Sequence, residues 1–439
     1  MAPDLEALKK EILAKVALFQ RTRANGWPSF DKAKPQVPVS GKVFDEEDLC
    51  SLVDASLDFW LTTGRFHDQF ESGLAARFGL KHACMVNSGS SANLVAVSAL
   101  TSRFLGDSRL KKGDEVITTA MSFPTTVNPI FQNGLVPVFV DVDIETGNVD
   151  ASKAEKAITK KTRAMVLTHT LGNPFDAERL SKACKENNMF LVEDCCDAFG
   201  SLLNGKPVGS FGDIATLSFY PAHHITTGEG GAVLTNSDLL KRAAESFRDW
   251  GRDCWCKTGC NNTCGKRFGW KMGGLPYGYD HKYIYSNIGY NLKATDMQAA
   301  IGVSQLKKAD EFIRLRKENF NFYLNNLKKH GRFLRMPSSL PGTDPSPFGF
   351  TVIVKGDAPF KRNDLVTHLE SMGVHTRMLF GGNIVRQPAY QGENYRVAGE
   401  LANSDYLLEN AFWIGVYPGI SQEMREYAAS AFDSFFSKF

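Results

Sequence analysis

Between residues 80 and 240, short apolar runs alternate with helical stretches, and that rhythm restricts the fold more than any other feature of the chain. The runs are HACMV (82–86), EVITT (115–119), PVFVDV (137–142), AMVLTH (164–169), FLVED (190–194), ATLSF (215–219) and AVLT (232–235). Segments such as SSANLVAVSALTSRFL supply the helices between them. Such an alternation predicts a mostly parallel sheet covered on both faces. The rhythm breaks over 251–285, which is rich in Cys, Gly, Lys and aromatics and has no clear period. A long helical region, NLKATDMQAAIGVSQLKKADEFIRLRKENFNFYLNNL, then leads out of the large domain. The remainder contains FTVIV and a helix around 362–372, enough for a small α/β domain. At 439 residues the chain is comfortable for two domains. The expected division is a large domain over 1–330, with the cysteine-rich insertion at about 251–285, and a small C-terminal domain over 331–439.

Composition removes several classes of function. Lys and Arg number 51 against 48 Asp and Glu, leaving +3 with the signs mixed along the chain, so nothing points to nucleic acid. No uninterrupted apolar run approaches the roughly 20 residues of a membrane helix. The opening MAPDLEALKKEILAKVALF is interrupted by acids and lysines where a secretion signal needs an apolar stretch. Its Leu5, Leu8, Ile12, Val16 and Phe19 fall at helical spacing and predict an amphipathic helix packed on its own protein. The expected compartment is the cytoplasm. There, cysteines crowded as Cys254, Cys256, Cys260 and Cys264 suggest a metal or redox site rather than disulfides. Cys50, Cys84 and Cys184 are scattered and read as small buried hydrophobes.

Two pieces of the strand region could hold a cofactor. The run ending at Val86 is followed by Asn87-Ser88-Gly89-Ser90-Ser91 and a helix, and helix-first amides beside a Gly and hydroxyls suit a phosphate. Ser and Gly also cap helices with no ligand, so the spacing leaves both readings open. FLVED ends in Asp194, an acid at the carboxyl end of a parallel strand, where ligands bind in open α/β sheets. A helix cap or surface ion pair would account for that residue equally well.

A third piece, Ser218-Phe219-Tyr220-Pro221-Ala222-His223-His224-Ile225-Thr226-Thr227-Gly228-Glu229-Gly230-Gly231, makes the chain recognisable. Together with FWLTTGRFHDQFE, NSGSSANL, MSFPTTVNPI, VEDCCDAFG and IGYNLKATDMQAA, in that order, it resembles the nucleotide-sugar aminotransferase and 3-dehydrase family. The resemblance covers most of the chain. It implies the aspartate-aminotransferase fold, that is, the fold type I pyridoxal-phosphate-enzyme architecture with a small C-terminal α/β domain. It also implies roles residue by residue. Gly89 and Ser90 bind the cofactor phosphate, Phe123 stacks on the pyridine ring, and Asp194 pairs with the ring nitrogen. Ser218 adds a phosphate hydrogen bond, and Asn291 reaches the phosphate of the neighbouring subunit in a homodimer. A carboxylate that keeps the ring nitrogen protonated is what makes the pyridinium an electron sink.

The departure from the family pattern is His223. Family aminotransferases carry at that place the lysine that holds pyridoxal covalently, and the segment here has no lysine. Imidazole cannot form a stable imine, so the expected cofactor form is pyridoxamine 5'-phosphate, whose amine condenses with a ketone. Imidazoles in general exchange protons near neutrality, which suits His223 to proton abstraction. A dead enzyme that lost its lysine is the bland alternative. Asp197, Tyr220 and Phe348 also stand where family aminotransferases often carry other polar or imidazole side chains, which suits a retuned pocket.

Within the family, Lys-to-His replacement marks the sugar 3-dehydrases, and the cysteines divide these further. Cys196 and Cys254 are separated by 57 residues, Cys254 and Cys256 by one, and Cys256 and Cys264 by seven. That spacing resembles the ligand pattern of the subclass that uses pyridoxamine phosphate and a 2Fe-2S cluster, which implies Cys196, Cys254, Cys256 and Cys264 as ligands. The resemblance further implies a CDP-4-keto-6-deoxyhexose substrate, and an NADH-dependent flavin/iron-sulfur reductase that delivers two electrons singly. Cys196 follows Asp194 by two residues, at most ~7 Å between Cα atoms, so such a cluster would lie near the pyridinium end of the cofactor. Three alternatives stay open: a local Zn site of Cys254, Cys256, Cys260 and Cys264, a cluster-free dehydrase or divergent aminotransferase, and a dead Zn-stabilised scaffold. Arg377 and Arg386 are candidates for holding the nucleotide.

Overall fold

The computed structural model describes residues 4–24 and 30–439, so 1–3 and 25–29 of the expected large domain lie outside the described residues. An eight-stranded sheet runs through the larger part of the molecule. Its order is His82–Val86, Gly231–Thr235, Ile214–Ser218, Phe190–Asp194, Thr162–Thr168, Glu115–Thr119, Val136–Val140 and Arg396–Val397. Gly231–Thr235 alone is reversed, so it pairs antiparallel with both neighbours while the other adjacent pairs are parallel.

The alternation read from the sequence explains the layering. In each strand successive side chains enter different cores. Cys84 and Val86, Val116, Ala164 and Val166, and Val192 pack with the helices Gly89–Leu100 and Asp238–Arg248. Met85, Ile117, Met165 and Leu167, and Leu191 face the other way, against Phe70, Leu74, Phe175, Leu180, Ala299 and Ala300. Both faces are therefore buried, as a parallel sheet requires.

The helix Asp296–Leu327, about 48 Å long, joins this body to the rest. Its Ala299 and Ala300 enter the large core, and its Tyr323 and Leu327 enter a second one. That second core lies on a four-stranded antiparallel sheet ordered Leu334–Arg335, Gly349–Val354, Ala411–Gly415 and Thr376–Met378. The helices Arg362–Ser371 and Gln422–Phe436 cover it. Contacts cross between the two bodies: Arg396–Val397 adds to the edge of the large sheet, and Val37 N–H donates to Gly373 O at 2.8 Å.

The N-terminal helix Leu5–Ala24 packs on Glu46–Asp58 with Ile12 and Val16 half-buried. Leu5 and Phe19 stay exposed, so only part of its apolar stripe is used within this chain. No helix among the described residues is long and apolar enough to cross a membrane.

Candidate active site

The strands His82–Val86, Glu115–Thr119, Thr162–Thr168, Phe190–Asp194 and Ile214–Ser218 all point one way, so their carboxyl ends open on one edge. Most of the residues expected from the sequence collect there. Asp194, buried at the end of its strand, is fixed from three directions. Asn93 Nδ2 and Thr126 Oγ1 donate to its Oδ2 at 2.8 and 2.7 Å, and the Cys196 N–H donates to its Oδ1 at 3.1 Å. Asn93 is oriented in turn by Thr216 Oγ1, 2.6 Å from its Oδ1. Sequence reasoning missed Asn93, Thr126 and Thr216. The available signal was a lone amide among the small and apolar residues of Gly89–Leu100.

Ser88 caps that helix by accepting from Ser91 N–H at 3.0 Å, which leaves the Gly89 and Ser90 amides without an internal acceptor. Gly89 is needed because a Cβ there would collide with Ser218, and Gly231 because a Cβ would collide with the Ser88 carbonyl. Phe123 caps the start of the helix Pro124–Gln132 and is 48% exposed, its ring edge-on to that of Phe380 with centroids 6.3 Å apart. A buried carboxylate, free helix-first amides beside two hydroxyls and an exposed ring on one edge fit a phosphorylated pyridine.

His223 and His224 are adjacent but opposite in character. His224 is buried, its Nε2 3.1 Å from Ser346 O, and burial holds its imidazole well below the usual histidine range. The His223 side chain is 15% exposed, its Nδ1 3.4 Å from Asp197 Oδ1, near enough for a charge pair yet outside hydrogen-bond geometry. Its ring lies 5.1 Å from that of Phe348. Burial pushes the Asp197 carboxyl up, against the opposing pull of His223. Of the two, His223 is the one able to meet a ligand.

Residues 251–285 hold no α-helix or strand, as the sequence suggested, but the segment is anchored. Asp253 is buried, with Oδ1 accepting from Arg242 Nη2 at 3.1 Å and 2.7 Å from His281 Nε2, while Ser286 donates to its Oδ2. Arg267 grips Asp280 through two bonds of 2.9 and 2.6 Å, which holds the Asp280 carboxyl down at about 2. Cys254 Sγ accepts from Cys256 N–H at 3.4 Å, and Cys256 Sγ from Thr263 N–H at 3.3 Å. Although burial raises the Cys256 thiol, these Thr263 contacts and Cys254 bring it below its usual value. Cys264 neighbours the pair electrostatically, while Cys196 sits with Asp194 and Asp197, its thiol pushed far up by burial.

Among the described residues the one set of three metal-capable side chains with all ligand atoms within 4.8 Å of one another is His169, Glu193 and Cys195. There the Glu193 carboxylate is already taken by the Gly209, Phe211 and Gly212 amides and by His169. The donor chemistry of Cys254 and Cys256, thiols receiving amide N–H groups, suits a thiolate-held metal group.

Cys254, Cys256 and Cys260 line a cleft of about 770 Å³ with Trp60, Arg65 and Lys293. Asn291 takes the Lys293 ammonium on its Oδ1 at 2.6 Å, and the next residue, Leu292, accepts Asn87 N–H at 2.9 Å. Arg386 is engaged bidentately by Asp405 at 3.0 and 2.7 Å. Arg377 reaches only its neighbour's carbonyl, Thr376 O, at 2.7 Å.

Comparison with known proteins agrees with this fold. Residues 43–433 match the DegT/DnrJ/EryC1/StrS aminotransferase family. The lipopolysaccharide biosynthesis protein RfbH of Salmonella typhimurium is 52% identical over 429 residues, 98% of each chain. The dTDP-4-dehydro-2,6-dideoxy-D-glucose 3-dehydratase of Saccharopolyspora spinosa is 50% identical over 438 residues, covering 100% of this chain and 94% of its own. Among solved structures, an E. coli GDP-4-keto-6-deoxy-D-mannose-3-dehydratase with bound hydrated PLP superposes with a TM-score of 0.81. It is 31% identical and covers 90% of this chain and 99% of its own.

Proposed function

We propose, from the premise that this chain belongs to the DegT/DnrJ/EryC1/StrS aminotransferase family, that it is a 3-dehydratase of a nucleotide-linked 4-keto-6-deoxyhexose working with pyridoxamine phosphate. The family's fold is that of the fold type I aminotransferases, and its members are pyridoxal-phosphate-dependent enzymes that aminate or dehydrate sugars. The observation that carries the dehydratase reading is His223. An imidazole beside Asp197 occupies the segment where an aminotransferase of the family needs an amine, and Ser218–Gly231 contains no lysine.

When bound, pyridoxamine phosphate supplies an amine that condenses with the sugar ketone and a ring that takes up electron density. In this reading the chain does the rest. Asp194, held by Asn93, Thr126 and the Cys196 amide, is the acceptor for the ring N–H. Gly89, Ser90 and Ser218 hold the phosphate, Phe123 covers the ring, and Asn291 serves the neighbouring subunit's phosphate in a homodimer. His223 takes the proton from the cofactor's C4′ methylene, with Asp197 facing the charge the imidazole gains.

The finer reading adds the cysteines. It makes Cys196, Cys254, Cys256 and Cys264 the ligands of a 2Fe-2S cluster fed by an NADH-dependent flavin/iron-sulfur reductase. With a CDP-linked substrate this would be the activity of a CDP-6-deoxy-L-threo-D-glycero-4-hexulose-3-dehydrase in 3,6-dideoxyhexose synthesis. The similarity to a lipopolysaccharide biosynthesis protein supports a place in making surface polysaccharide. The cysteine spacing and the amide-to-sulfur bonds at Cys254 and Cys256 support the cluster.

Borohydride treatment of the protein loaded with pyridoxal phosphate tests the central part. No covalent label should survive denaturation, because no lysine is expected at the ring. A labelled lysine would return the chain to the aminotransferases.

A further inference from the structure

Among the described residues Arg316 is the largest fully buried side chain, 1% exposed, and its guanidinium has no carboxylate partner at salt-bridge distance. Burying an arginine this way is costly unless its donors are used. Here they are used on backbone carbonyls alone. Nη2 donates to Ala222 O at 3.1 Å and to His223 O at 3.0 Å, and Nη1 donates to Phe348 O at 3.2 Å. Nε has no partner. Burial drags the guanidinium down to about 9 against the pull of Asp197. A leucine or methionine would fill the same volume without that penalty, so the arginine calls for a reason beyond packing.

The three carbonyls supply one. Two belong to the turn that carries His223, closed by His223 N–H to Tyr220 O at 2.9 Å. The third belongs to Phe348, whose ring packs on the His223 imidazole and which leads into the strand Gly349–Val354 of the smaller sheet. Helix Asp296–Leu327 pins the same loop again through Gln305, which accepts from Thr226 N–H at 3.3 Å, and Gln298, which donates to Glu229 O at 2.8 Å. Those two contacts hold the far limb; on the limb bearing the imidazole, Arg316 takes the Ala222 and His223 carbonyls while His224 Nε2 meets Ser346 O at 3.1 Å. Within the ring, the buried Nδ1 has no hydrogen-bond partner to fix it.

We propose that Arg316 is a positioning residue: by gathering the carbonyls of Ala222, His223 and Phe348 onto one rigid fork, it holds the His223 imidazole between Asp197 and Phe348. This rests on His223 being the base of the proposed dehydration.

The test labels the nine histidines with ¹³C at Cε1 in the full-length protein, with and without pyridoxamine phosphate. The His223 resonance is assigned by its absence in His223→Asn, and His169, buried against Glu193, serves as the reference. In Arg316→Met the His223 resonance should broaden or split while that of His169 stays in place. Arg316→Lys, which keeps the charge but loses the fork, should shift it by less. Dehydration by Arg316→Met should fall roughly 10²-fold, the penalty of a small misplacement, with little loss of melting temperature. A His223 resonance that coincides with the native one in both variants would overturn the proposal, as would an activity loss that merely follows the melting temperature. If Arg316→Met does not fold, Arg316→Lys decides by the same resonance. Failure of both to fold would assign Arg316 to the fold alone and equally overturn it. Native dehydration by His223→Asn would refute the base, while the resonance would still report whether Arg316 fixes the ring.

Discussion

Two neighbouring histidines show how far single residues can be read from a sequence. That an imidazole replaces the expected lysine was legible, because the surrounding motif fixes its place. Which of the pair faces the site rests in sequence on motif spacing alone, and packing supplies the physical reason: Ser346 takes His224 into the interior, and Asp197 meets His223 at the edge. Asn93, Thr126 and Arg316 were not legible, since a polar residue in a helix looks alike whether it meets water or a buried partner. For His223→Lys, with Asp194 and the phosphate cradle intact, we expect a pyridoxal absorption band that survives dialysis, together with loss of dehydration. Native-rate dehydration by that variant would remove His223 as the base. His224 yields a second prediction. Its imidazole is held below the ordinary 6.5, so the unfolded chain binds the extra proton first as pH falls. Stability should therefore be constant above that value and decline below it, by up to about 1.4 kcal/mol per pH unit. His224→Gln, which can still donate to Ser346 O, should flatten the decline in urea midpoints measured from neutral to acid pH. An unchanged slope would show that other groups control it.

Elements were more legible than residues where local pattern decides them. All seven strand runs appear within about two residues of their expected bounds, because each must bury both faces and its composition shows it. The two-residue strand Arg396–Val397 had no such signature; it exists because the Val136–Val140 edge lay open beside it. The cysteine segment is the opposite case. Its lack of period was visible, but its anchors pair Asp253 with Arg242 and His281, 11 and 28 residues away. Changing Cys196, Cys254, Cys256 or Cys264 to Ser should abolish or strongly perturb a visible iron-sulfur spectrum in anaerobically purified protein. Cys260→Ser and Cys195→Ser should leave it largely intact. Loss in Cys260→Ser with retention in Cys196→Ser would support the compact four-cysteine site instead, and would uncouple that site from the Asp194 strand.

At the scale of the whole molecule, the large sheet presents the edge of its strand carboxyl ends while the long helix ties both cores to the loop that carries His223. Phe59, Trp60, Leu61, Trp250 and Ile288 are large apolar side chains exposed on the chain. On the proposal that Asn291 serves a neighbouring subunit's phosphate, a two-fold dimer is expected in sedimentation. Asn291→Ala should weaken cofactor retention without unfolding, and a monomer with full cofactor occupancy would contradict the arrangement. The most direct test of the account as a whole is the fate of the sugar. The protein, reconstituted with pyridoxamine phosphate, iron and sulfide, is given a nucleotide-linked 4-keto-6-deoxyhexose with a reductase and reduced nicotinamide, and the product is read by mass spectrometry. The account predicts a sugar that has lost the C3 oxygen and gained no nitrogen; a sugar that keeps that oxygen and carries an amine at C4 would contradict it.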